Sequence, residues 1–178
     1  MDKKTDVDII NINHMDMANQ IDNKWEWDTI LAFVNKQKDY DFTLRLKNKD
    51  KTILKKKFIN PLETKSTKRH NKKVVNLIFA YMIFQVIQEM KVSITKVIIC
   101  PDHRPTKEVH HYIQKIGNFC GKHNITNEIN MSFINRKIYD LKKRTPAHKI
   151  AKKVFKGKRK AKSFVDPEQI IKIISKLL

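Results

Sequence analysis

The chain has 178 residues, with 38 Lys and Arg against 18 Asp and Glu, a formal net charge of +20. That length suits a compact domain with a core of its own, and a 40% hydrophobic share excludes a disordered chain. Three glycines and five prolines exclude a collagen-like or low-complexity polymer, and the sequence has no fixed-period repeat that would mark a solenoid or propeller.

The polar opening from Met1 to Asp8 lacks the apolar segment of a secretory leader. The most apolar stretch, Val74 to Ile87, covers 14 residues, short of the ~20 that a membrane span needs. Cys100 and Cys120 are too few for a secreted disulfide framework. These features predict an intracellular, reducing compartment, cytoplasmic or nuclear, and no membrane partner.

Residues 1–38 read as an acidic arm or small lobe ahead of a basic domain over 39–178. Val7 to Asn13 suits a short strand, and Trp25, Trp27, Ile30, Leu31 and Val34 have a helical spacing. Asp41 to Leu46 alternates like a half-buried strand. Asn48-Lys49-Asp50 would supply a turn, and Thr52 to Ile59 would return as the second strand of a hairpin. A long helix is expected over His70 to Met90, apolar all round in its second half and therefore buried between layers. Lys96 to Cys100 is a continuous apolar run, as in a central strand of a covered sheet. From Thr106 a helix places Val109, Tyr112, Ile113, Ile116 and Phe119 on one face, and Gly121 suits its stop. Glu128 to Ile134 returns to strand alternation. A basic helix over Pro146 to Phe155 follows. The last helix opens at Asp166-Pro167-Glu168-Gln169 with a cap, a proline at its first position and a back-reaching Gln. Its Ile and Leu residues form a broad apolar face that must pack on the domain or dock a protein partner.

The order predicts an α/β fold: a mixed sheet with a leading antiparallel hairpin and helices packed on it. It is similar to the element order of ribonuclease H-like domains. That likeness, one of order alone, implies a search for carboxylates that would hold Mg²⁺ in a nuclease or integrase-like enzyme. They would sit on the first strand, inside the first long helix, at the end of the next strand and on a late helix. Asp41 and Asp102 are the catalytic candidates. The long helix has no acidic residue between Glu63 and Glu89, and His148 stands where the late acid is wanted.

Zinc is a second chemistry to weigh. Cys100-Pro-Asp-His103 and Cys120-Gly-Lys-His123 are two Cys-x2-His pairs, with His110 and His111 as substitutes. An amphipathic helix between the pairs would hold them ~20 Å apart, at 1.5 Å of rise per residue.

Charge gives the strongest signal. Residues 1–50 carry a net −2, residues 51–73 a net +8 and residues 136–162 a net +12. Concentrations of like charge repel unless a polyanion compensates them. Lys142, Lys143, Arg144, Lys149, Lys152, Lys153, Lys156, Lys158, Arg159 and Lys160 form the denser patch. Lys149, Lys152, Lys153 and Lys156 fall at three- and four-residue spacing along one helix face. The run from Lys156 to Lys162 reads as a flexible arm. Lys68, Arg69, Lys72 and Lys73 supply a second patch. The expectation is a non-catalytic protein that binds RNA or DNA through phosphates.

Overall fold

The computed structural model describes residues 13–35, 39–90, 96–100, 106–122, 130–133 and 145–178. Along the chain these form β1 (His14–Ala18), β2 (Thr29–Asn35), β3 (Tyr40–Leu46), α1 (Asn48–Phe58) and α2 (Lys65–Glu89). There follow β4 (Lys96–Ile99), α3 (Thr106–Phe119), β5 (Asn130–Phe133), α4 (Pro146–Phe155), β6 (Ser163–Phe164) and α5 (Pro167–Leu177). The fold is α/β, as its alternating patterns predict.

The strands make one six-stranded mixed sheet in the order β5-β4-β1-β2-β3-β6. β1, β2 and β3 form an antiparallel meander, with Ala32 opposite both Asp16 and Thr43. β4 pairs parallel with β1 and with β5, so it lies inside the sheet as its unbroken apolar run requires. β6 adds a short parallel edge to β3.

Alternation sends the two faces of each strand into different cores. Met15, Met17, Leu31, Phe33, Phe42, Leu44 and Leu46 face the larger one, with α1, α2, α3 and α5. Ala18, Ile30, Ala32 and Val34 face the smaller one, covered by Ala147, Ala151 and Val154 of α4. The long helix α2 starts at Thr64, whose side chain accepts from the Thr67 amide. From Val74 to Phe84 every residue is buried, because the sheet, α3 and α5 all close on it. Gly121, just past α3, has φ +70°, the left-handed stop that only glycine adopts at little cost. Among the described residues no helix is long and apolar enough to cross a membrane.

Several local expectations are corrected. Thr52 to Ile59 is not a strand but most of α1: its apolar residues do not alternate, and Leu54 alone is fully buried. Three lysines in the last turn also suit the negative end of a helix dipole. The hairpin partner of β3 is instead β2. The helical spacing over 25–34 is overridden, since Thr29–Asn35 is buried on both faces as a strand; Trp25 and Trp27 belong to the turn before it. The strand expected at Val7 to Asn13 falls largely outside the described residues, and β1 begins at His14. In α5 the Asp166 cap accepts from the amides of Glu168 and Gln169, at 3.0 and 3.4 Å. The Gln169 side chain, rather than reaching back, accepts from the Tyr81 hydroxyl at 3.1 Å. The apolar face of α5 lies in this chain's own core, with Ile170, Ile173 and Ile174 buried.

Candidate nucleic-acid interface

α4 is set on the sheet by its small residues. Ala147 and Ala151 have no exposed surface, which lets the helix backbone come close to the strands. Its first turn is tied down by one threonine. The Thr145 hydroxyl accepts from the His148 amide at 3.0 Å and donates to Asp16 Oδ2 at 2.6 Å, capping the helix and fastening it to the middle of β1. Pro146 takes the first helical position, where no amide partner is needed.

This attachment fixes which side faces out. His148, Lys149, Lys152, Lys153, Lys156 and Lys158 line a cleft of about 320 Å³ along the outer face of α4. Gly157, at φ +70°, ends the helix. Its amide bonds to Val154 O and the Lys158 amide to Lys153 O, at 3.0 and 2.9 Å. That paired C-terminal cap turns Lys158 back towards the cleft. Among the described residues no carboxylate pairs with Lys149, Lys153, Lys156, Lys158 or Lys160.

The chain beyond α4 is tied to β3. The Lys162 amide donates to Thr43 O and Thr43 Oγ1, at 3.1 and 3.0 Å. Arg159 Nη2 donates to Asp41 Oδ1 at 2.6 Å, and Lys162 Nζ lies 3.2 Å from the same oxygen. Asp41, a catalytic candidate in the sequence, therefore holds the basic run in register with the sheet. Lys160 is exposed beyond this anchor.

A polar cluster lies under the N-terminal end of the cleft. Asp16 is buried on β1; its Oδ1 accepts from the Met17 amide at 2.7 Å and lies 3.6 Å from His148 Nδ1. Burial alone would raise the Asp16 carboxyl, but His148 and Thr145 outweigh it and hold its pKa below the ordinary value. His14, on the same strand face, has its Nε2 3.7 Å from Cys100 Sγ. Burial outweighs the attraction of Asp16 and pushes the His14 pKa down to about 4. Its Nδ1 is buried and has no hydrogen-bond partner among the described residues.

The sequence-predicted residues thus separate. Lys149, Lys152, Lys153, Lys156 and Lys158 come together, while Arg159 is engaged with Asp41. Lys68, Arg69, Lys72 and Lys73 lie in the first turns of α2, in the layer across the sheet from α4. Lys73 Nζ there donates to Leu178 O at 3.2 Å. Cys100 sits beside His14 at the end of β4, whereas Cys120 follows α3, half-buried against the larger core, where burial pushes its thiol up. Among the described residues no three His, Cys, Asp or Glu side chains converge as a metal site. Lys142, Lys143, Arg144, Asp102, His103 and His123 lie outside the described residues.

Two features escape the sequence reading. One is Asp16, whose signal was the alternation of Met15 and Met17 with His14 and Asp16. The other is Trp27, whose ring centroid lies 5.8 Å from that of Phe155 on α4; no local pattern announces that pairing. Comparisons with family models, with curated proteins and with solved structures find no match for this chain.

Proposed function

We propose that this chain binds nucleic acid through phosphate contacts made by the outer face of α4, and that it does so without catalysis. The observation that carries this reading is the cleft lined by five lysines and His148. Lys149, Lys153, Lys156 and Lys158, cations with no carboxylate partner among the described residues, repel one another, and a phosphate backbone relieves that repulsion while releasing its own counterions. The cap at Thr145 and the anchor at Asp41 support the reading, because they hold the lysines in one place before any ligand arrives. The patch of Lys68, Arg69, Lys72 and Lys73 is carried by the other layer and is a secondary contact at most. Contacts of this kind read the backbone rather than the base sequence.

The test compares two charge-reversed pairs. Lys152→Glu with Lys153→Glu should weaken nucleic-acid binding by ~10-fold or more. The same change at Lys172 and Lys176, on α5, should alter it little. Equal losses from both pairs would remove α4 as the site.

The ribonuclease H-like order of elements makes a Mg²⁺-dependent nuclease the competing reading. Asp16, on central β1 beside the end of β4, is a better placed carboxylate for it than Asp41. The described residues do not assemble a metal site around Asp16. Strand scission in Mg²⁺ that is lost in Asp16→Asn would overturn the non-catalytic reading.

A further inference from the structure

We infer that the α4 cleft takes single-stranded nucleic acid, with an unpaired base stacked on Trp27 where the cleft ends. The inference rests on the phosphate-binding reading above and names the form of ligand that this site accepts.

On α4, His148, Lys152 and Phe155 stand at i, i+4 and i+7, one stripe along the helix. His148 and Lys152 line the cleft, and Phe155 continues the stripe for about 10 Å in all, at 1.5 Å per residue. Against Phe155 stands Trp27, the rings inclined at 46°. Trp27 is 43% exposed, one of the few large apolar side chains left open to solvent. An exposed aromatic ring packed against the helix that carries the lysines is the kind of pairing that proteins use to bind single strands: cations follow the phosphates, and a ring receives a base.

The turn that carries Trp27 is braced. The Trp27 amide donates to Lys24 O at 3.0 Å, and Asn19 Nδ2 donates to Asp28 O at 2.8 Å. Asp28 pairs with Arg45 and accepts from the Asn48 amide at 2.6 Å. That pairing neutralises the Asp28 carboxylate on one side of Trp27, which would otherwise oppose a phosphate, and leaves Glu26 on the other side. The ring is thus presented at a fixed place, and little ordering cost remains for binding. Lys24 Nζ lies 3.7 Å above the Trp27 ring. A base entering that face displaces the ammonium, which is then free to meet the adjoining phosphate.

Duplexes cannot use this arrangement, because their bases already stack on one another and hide their faces. Trp27 therefore discriminates by strand form, while the lysines do not.

The experiment measures binding to labelled oligothymidine and oligouridine of about 15 nucleotides, within the range that one stacking groove covers, and to a duplex of the same length. Trp27→Ala should weaken single-strand binding about 10-fold and leave duplex binding and the salt slope unchanged. Trp27→Phe should recover part of the loss and abolish most of the tryptophan quenching that the single strand produces. Thermal melts of both variants should match the parent, since the side chain is half exposed. Single-strand binding undiminished in Trp27→Ala, with duplex held equally well, overturns this inference and leaves the phosphate reading standing. No binding of any strand by the parent protein overturns both.

Discussion

Both carboxylate oxygens of Asp16 are engaged inside the fold: one takes the Thr145 hydroxyl, the other the Met17 amide, and His148 stands beside it. Its neighbour His14 is neutral in the fold because burial disfavours the imidazolium, with a pKa of about 4. The consequence for stability has a definite sign. As pH falls below the ordinary histidine value, the unfolded chain gains a proton that the folded chain refuses until about pH 4. Stability is therefore complete above pH ~6.5 and declines across that window, by roughly 3 kcal/mol in all. The depressed Asp16 carboxyl adds a further loss at lower pH, as its bonds are broken by protonation. Urea midpoints of the parent protein should fall from pH 7 to pH 4.5, and those of His14→Leu should fall much less. A parent midpoint flat over that range would show that His14 is accessible to protons in the fold.

At the scale of elements, α4 shows how a face is specified. Its buried side is Ala147, Ala151 and Val154, and every cation lies elsewhere. Small residues are what let a helix with three lysines, and two more at its C-terminal end, lie flat on a sheet. Ala151→Leu would force the helix outward; the overpacking should cost about 1–3 kcal/mol and loosen the Thr145 cap with it. A thermal melt unchanged in that variant would contradict the close approach described above. The sequence made α4 legible because its periodicity is strong and Thr145-Pro146 opens it. It misplaced α1 because Ile53 and Leu54 are adjacent and surrounded by lysines, a pattern that fits neither period well. It missed β2 as a strand because a run buried on both faces has no alternation to read.

For the molecule as a whole, the sheet is the device that decides which charges act together. The lysines at the start of α2 and those of α4, both basic stretches in the sequence, are carried in opposite layers, over the larger core and the smaller one. The order of elements from α2 onward was legible apart from the two-residue β6, since those helices and strands have clear periods. The convergence of sites was not. Asp16 meets Thr145 across 129 residues of sequence, and Asp41 meets Arg159 across 118; spacing along the chain contains no trace of such contacts. Trp27 beside Phe155 is the same kind of long-range product. The lysine stripe itself was readable because Lys149, Lys152 and Lys153 lie on one helix and Lys156 caps it.

The central claim is that the cations of α4 meet phosphates, and the most direct test is the salt dependence of binding. Affinity for a single strand would be measured across a series of salt concentrations, for the parent and for the Lys152→Glu, Lys153→Glu protein. With up to five lysines engaged, log affinity against log salt should fall with a slope of about −2 to −3.5, at ~0.7 per contact. The double variant should show a slope shallower by about 1.4, the share of two contacts. A slope near zero, or one that the double variant leaves unchanged, would contradict the account and turn the basic face over to a partner other than nucleic acid.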